Sequence, residues 1–236
     1  MNMRYLITLC IPFSLQVAAI DLNDAFKAEY IPKHWKLVSH TEGDLNNDKK
    51  IDLVLTLIAD RLRNYVPHPE HQGRTLNLNP RAILILFKQD KGYQKALMAE
   101  RFLPTKDDPD NTCLQDPLDE DAIKIKNNIL HIRLNYWLSC GSYAVNNDEF
   151  NFRYQNGGFR LIGKESRSFM RNSGDITEAS TNYLSGMRKT VTGLNEFENS
   201  DPKTTWEKLG HLENFYLHTM NSNSCFLATK PPKWCN

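Results

Sequence analysis

Two stretches in the middle of the chain restrict its fold more than any other feature. Ala122-Ile123-Lys124-Ile125-Lys126 and Ile129-Leu130-His131-Ile132-Arg133-Leu134 alternate apolar and polar residues on either side of Asn127-Asn128. Glu149-Phe150-Asn151-Phe152-Arg153-Tyr154 and Phe159-Arg160-Leu161-Ile162-Gly163 do the same around Gln155-Asn156-Gly157-Gly158. Period-two alternation interrupted by residues that tolerate positive φ is the signature of a β-hairpin with one buried face. A helical solution would scatter these apolar residues around its whole circumference.

The same grammar extends outward. Ile51–Ile58 and Arg81–Lys88 are rich in apolar residues and read as buried strands; Asp90-Lys91-Gly92-Tyr93 turns the second back along Tyr93–Met98. Trp35-Lys36-Leu37-Val38 reads as a further strand. Others are expected between Ile176 and Val191, turning at Asn182-Tyr183-Leu184-Ser185-Gly186. Arg61–Pro80, with Pro67, Pro69 and Gly73, reads as a long loop, and Thr105–Asp121 as an acidic one. A short helix is expected over Ile20–Tyr30, and a terminal one over Trp206–His218, where Trp206, Leu209, Leu212, Phe215 and Tyr216 share a face. The expected fold is mainly β: an antiparallel meander of hairpins, propeller-like or sandwich-like, with short N- and C-terminal helices.

Residues 1–19 read as a secretory signal. Arg4 precedes an apolar stretch over Tyr5–Val17, and Val17-Ala18-Ala19 ends in small residues at the cleavage positions. The apolar run is too short to span a bilayer, so no transmembrane anchor is expected after cleavage. The remainder, 20–236, reads as a single β-rich domain with a looser tail from about 195. The expected location is periplasmic or secreted. Lys and Arg number 29 against 28 Asp and Glu, with no block of like charge. That balance argues against a nucleic-acid partner.

Cys113, Cys140, Cys225 and Cys235 remain after cleavage, an even number in an oxidising compartment. Cys113–Cys140 and Cys225–Cys235 are the favoured pairings, since each closes a local loop. The cysteines lack Cys-x-x-Cys and histidine spacing, which speaks against zinc.

One loop points to a specific chemistry. Gly43-Asp44-Leu45-Asn46-Asn47-Asp48-Lys49-Lys50-Ile51-Asp52 sets oxygen-bearing side chains at Asp44, Asn46, Asp48 and Asp52 and runs into an apolar strand. Hard cations such as calcium take six to eight oxygens from alternating positions of this kind. The loop resembles the calcium loops of FG-GAP and VCBS-like repeats and, more distantly, of dockerins. The resemblance implies side-chain ligands at Asp44, Asn46, Asp48 and Asp52, with the Lys50 carbonyl between them. Lys49 stands where those families have glycine, and tandem copies are absent. The wider arrangement over roughly residues 30–190, an aromatic N-terminal segment, this loop, Leu86-Phe87 with Gly92-Tyr93 after it, Phe152-Arg153-Tyr154, Phe159-Arg160-Leu161-Ile162-Gly163 and Asn182-Tyr183-Leu184-Ser185-Gly186, resembles exported bacterial proteins of unknown function.

No set of residues reads as a catalytic centre. Ser139-Cys140-Gly141-Ser142 lacks a nucleophile elbow, and Cys140 is a thiol nucleophile only if unpaired, with His131 or His34 beside it. His68-Pro69-Glu70-His71 lacks the helical spacing of metallohydrolases. The expected function is therefore an exported, non-enzymatic binding or envelope-associated protein with a structural calcium-type loop and a protein or glycan partner. The alternative is a hydrolase of cell-envelope glycans or peptides, drawing on acids of Asp107–Asp121 or on the Cys140 region.

Overall fold

A computed structural model describes residues 22–210, 212–222 and 235. The signal-like segment 1–19 and Cys225 lie outside them. The chain divides into two units, Met1–Pro32 and Lys33–Asn236. In the first, α1 (Asp24–Tyr30) starts at Asn23, whose side chain accepts the Phe26 N–H. Such a cap supplies one of the acceptors that a helix start lacks. The Phe26 and Tyr30 rings, one turn apart, lie 4.7 Å centre to centre.

In the second unit every strand pairing among the described residues is antiparallel. β1 (Trp35–Gly43) and β2 (Asp52–Ala59) flank the acidic loop. β3 (Tyr65–Pro67) and β4 (Thr75–Asn77) form a small hairpin inside the expected long loop. β5 (Arg81–Lys88) and β6 (Tyr93–Ala99) complete a four-stranded sheet ordered β1-β2-β5-β6. The chain then crosses to a seven-stranded meander: β7 (Ile123–Lys126), β8 (Ile129–Trp137), β9 (Ala144–Gln155), β10 (Gly158–Met170), β11 (Asp175–Asn182), β12 (Met187–Asn195) and β13 (Lys203–Lys208). Both turns that the sequence marks take the expected form. Asn127 and Asn128 have φ of 52° and 60°, and Asn156 and Gly157 have φ of 52° and 78°. Positive φ at both central residues matches the twist of the flanking strands.

The two sheets share one core, which makes the meander sandwich-like. Val54, Ile83, Ile85 and Phe87 of the smaller sheet belong to one buried cluster with Leu130, Ile132, Leu134, Phe150, Phe152, Phe159 and Leu161 of the larger. Phe102 meets Phe150 and Phe152 edge to face at 5.2 and 5.4 Å. Leu53, Leu55, Leu57, Leu84 and Leu86, on the opposite face of β2 and β5, are buried as well. Burial of both faces explains why these strands read as continuous apolar runs while β8 and β9 alternate. β7 stands against β1, so closely that a Cβ on Gly43 would lie 2.6 Å from Ile125 Cγ2.

The terminal helix expected over Trp206–His218 does not form. Lys203–Lys208 is β13, and among the described residues only a single 3-10 turn, Leu217–Thr219, follows. Gly210, at φ 76°, interrupts any helix there, and Thr204-Thr205-Trp206 favours a strand. Among the described residues after 195, Leu217, Met220 and Ser222 are buried.

Candidate functional site

The acidic loop is a series of side-chain-capped turns. Asp44 accepts the N–H groups of Asn47 (2.7 Å) and Lys49 (2.9 Å), Asn46 that of Asp48, and Asp48 that of Lys50. Asn47 and Lys49 take left-handed backbone, with φ of 65° and 66°. Lys49 thus adopts the conformation for which the resembling loops use glycine. Two neighbouring turns brace the loop. Asn128 Nδ2 donates to the Asp44 carbonyl (2.9 Å), and Lys50 Nζ reaches Asp90 (2.7 Å).

Asp52 does something different. It is fully buried, and its two carboxylate oxygens accept the N–H groups of Leu45 (2.8 Å) and Lys88 (2.9 Å). Burial pushes its carboxyl above the ordinary range, while the two backbone donors oppose that shift. Asp44, Asn46, Asp48 and Lys50 therefore share one turn, and Asp52, at the start of β2, ties that turn to the end of β5. Among the described residues no three His, Cys, Asp or Glu side chains are grouped as metal ligands. The donors that fit a hard cation are the oxygens of Asp44, Asn46 and Asp48; Asp44 commits two lone pairs to the loop backbone, and Asn46 and Asp48 one each.

The groups on which a hydrolase would draw are used structurally. Cys140 is bonded to Cys113, with Cα atoms 5.4 Å apart, so it has no free thiol. Cys235 is also disulfide-bonded; its expected partner, Cys225, lies outside the described residues. Asp116 forms a two-pronged ion pair with buried Arg81, Nη1 to Oδ1 at 2.6 Å. Asp107 accepts the Asn77 N–H, and Asp108 that of Asp110. His68 is buried and its Nδ1 accepts the N–H groups of Glu70 and His71, making a local turn. His131 Nδ1 pairs with Glu149 at 3.0 Å.

Two features of the larger sheet escape the sequence reading. On its inner face the apolar rows give way to polar ones. Phe150 is aligned with Lys164, Thr181 and Arg188, and Asp148 with Ser166 and Ala179. Lys164 and Asp148 form a buried pair beside a cavity of about 180 Å³ that Asn146, Ser166 and Ser168 also line. On the outer face β10, β11 and β12 hold an open recess of about 320 Å³ lined by Glu165, Arg167, Glu178, Ser180, Lys189 and Val191. Glu165 accepts from Ser180 Oγ at 2.8 Å. Burial, with Glu149 and Glu178 nearby, pushes its carboxyl up against the effect of that bond. The row Glu149–Glu165–Ser180–Lys189 ends at Trp206. The available signal was the alternation continuing past Gly163 through Lys164-Glu165-Ser166-Arg167-Ser168 with polar residues on both faces.

The described body is thus an antiparallel, sandwich-like β protein carrying a disulfide, a capped acidic loop and a charge-balanced recess on its longer sheet. Compared with known proteins, the chain matches no family model, no curated protein and no solved structure. Among the described residues no helix is long and apolar enough to cross a membrane.

Proposed function

We propose that this chain is an exported, non-enzymatic binding protein that takes a glycan or protein partner and uses the loop 44–52 as a structural brace. The observation that carries the reading is the outer-face recess. It combines two carboxylates, two cations, a hydroxyl and an aliphatic side chain on three adjacent strands of a rigid sheet. Two acids against two bases suit a polar, near-neutral ligand surface better than a polyanion. The signal-like N-terminus and the Cys113–Cys140 bond support an oxidising destination.

The loop belongs to the same reading as a calcium-type site. Asp44, Asn46, Asp48 and the Lys50 carbonyl are the groups that would hold the ion, and its charge would offset the repulsion among the loop acids. Asp52 then acts from behind, on the loop backbone.

Two measurements test these parts separately. A glycan array, together with titration of purified envelope proteins against the full oxidised chain, is expected to yield a ligand whose binding is lost in Lys189→Glu. A chain that binds nothing, or binds equally well in that variant, removes the recess from the reading. A thermal melt in millimolar calcium against chelator is expected to shift upward, and the shift to vanish in Asp48→Ala. An unchanged melt reduces the loop to a metal-free turn.

A further inference from the structure

β13 ends the seven-stranded sheet in an unusual way. All six of its residues are exposed, Trp206 to 64%, and its one strand partner among the described residues is β12. The opposite end of the sheet differs, because β7 stands against β1 at Ile125 and Gly43. Among the described residues the outer edge of β13 is unpaired, and such an edge offers N–H and C=O groups to another strand.

The side chains on this edge are complementary to themselves. In a strand, Lys203, Thr205 and Glu207 point to one face and Thr204, Trp206 and Lys208 to the other. Two copies related by a two-fold axis perpendicular to the sheet must set facing residues on the same face. The axis therefore passes through a residue and not between two. An axis at Thr204 sets Trp206 against Pro202, which has no N–H to give. An axis at Trp206 sets indole against indole, leaves Lys203 outside the pairing and brings Glu207 opposite Thr205. An axis at Thr205 brings Lys203 opposite Glu207 twice and Thr204 opposite Trp206 twice. Of the three, only this last register matches opposite charges, and directly facing opposite charges stabilise an antiparallel pair.

We propose that β13 pairs antiparallel with β13 of a second copy of this chain, about a two-fold axis through Thr205, forming one continuous sheet. The pairing covers the apolar parts of Trp206 and Thr204 and closes the free edge. It also sets the outer-face recesses of the two copies on the same side of one sheet, each row ending at a Trp206 near the axis. Such an arrangement suits a repeating ligand, since two linked sites engage it with avidity. The pairing itself stands whether or not the recess binds anything.

The test uses the full oxidised chain and exposed positions only. Sedimentation velocity is expected to give a concentration-dependent dimer. Glu207→Lys alone is expected to weaken it on the order of tenfold or more, by facing lysine with lysine. Lys203→Glu alone should act likewise, and the double exchange Lys203→Glu/Glu207→Lys should restore the dimer. Under mild oxidation Thr205→Cys is expected to cross-link to its own copy, and a mixture of Thr204→Cys with Trp206→Cys to cross-link to each other. A chain that stays monomeric at millimolar concentration overturns the proposal. So does a double exchange that fails to restore pairing while its melting temperature is unchanged, or a Trp206→Cys variant that cross-links to itself while Thr205→Cys does not.

Discussion

Lys164 Nζ lies 3.3 Å from Asp148 Oδ1, with the two side chains 6% and 8% exposed. Ser166 Oγ donates to the same carboxylate oxygen at 2.6 Å, and Lys164 also donates to the Cys235 carbonyl at 2.7 Å. Among the described residues this ammonium thus has one partner from β9 and one from the C-terminal segment, where the apolar rows of the larger sheet give way to polar ones. Burial pushes the ammonium below its ordinary range, and Asp148 opposes that shift by charge and hydrogen bond.

A pair so placed is costly to break singly and cheap to replace whole. Lys164→Met and Asp148→Leu are each expected to lose about 3–5 kcal/mol, because each strands a buried charge. The double variant is expected to lie within about 1–2 kcal/mol of the natural chain, and a denaturant-based double-mutant cycle reads the coupling. The pH dependence has a definite sign. Unfolded lysine keeps its proton up to about pH 10.5, while folded Lys164 releases it earlier. Between those points the unfolded state binds more protons, so stability gains from this group as pH rises. The alkaline gain is expected in the natural chain and absent in Lys164→Met.

Asp52 carries two backbone N–H groups, one from its own loop and one from Lys88. Asp52→Ala leaves both without an acceptor in a buried place, for an expected loss of about 2–4 kcal/mol. Asp52→Asn keeps one oxygen but turns an NH2 toward the other donor, so it is expected to destabilise as well, and by less. The folded carboxyl titrates above its ordinary 3.8. In the window just above that value the folded state holds a proton that the unfolded state has lost. This group's contribution therefore falls as pH rises through the window. Stability curves from pH 3 to 7 are expected to show that slope in the natural chain and not in Asp52→Asn.

Lys49, at φ 66°, occupies a conformation in which its Cβ crowds the following carbonyl. Lys49→Gly is expected to raise stability by about 1 kcal/mol, read as a higher melting temperature. Asn47→Gly, at nearly the same φ, should gain less, because Asn tolerates this region. Equal gains at both positions would mean that the Lys49 side chain contributes nothing particular to the turn.

The hairpins were legible because short-range chemistry decides them: Asn127-Asn128 and Asn156-Gly157 accept positive φ, and the flanking alternation assigns the buried face. The Cys113–Cys140 pairing was legible from loop length alone. β13 was not, since Trp206, Leu209, Leu212, Phe215 and Tyr216 have helical spacing, yet Trp206 stands exposed on an edge and Gly210 separates it and Leu209 from the other three. The oxygen spacing of the loop was legible, but the role of Asp52 was not. Its second partner is 36 residues away, in a strand that only tertiary pairing brings near. Lys164 and Glu165 escaped for the same reason. Consecutive polar residues suggest a strand's end, and the neighbours that give them meaning come from β9, β11 and β12.

Arg81 is anchored by Asp116, from the loop that a hydrolase reading would make catalytic. Removing the carboxylate leaves a guanidinium that is 5% exposed without its counter-charge. Asp116→Ala is expected to cost about 3–5 kcal/mol, and Arg81→Met/Asp116→Leu together much less than the sum of the singles. Chemical denaturation measures both. An Asp116→Ala chain of undiminished stability would free this acid for some other role.

Gly43 marks where β1 meets the first strand of the larger sheet, and its missing side chain is what permits the approach. A Cβ there would lie 2.6 Å from Ile125 Cγ2 and 2.9 Å from its Cβ, closer than packed atoms tolerate. Gly43→Ala is expected to destabilise by about 1–3 kcal/mol through overpacking. Ile125→Ala alone should cost less than a fully buried isoleucine would, because Ile125 is only partly buried against the core. If the clash is the cause, Gly43→Ala/Ile125→Ala should be more stable than the two single losses added together, since the smaller residue vacates the contested space. The same contact precedes Asp44, whose carbonyl Asn128 holds from the β7–β8 turn. Gly43→Ala is therefore expected to raise amide exchange at Asn47 and Lys49, whereas a cost confined to the core would leave those amides as protected as before.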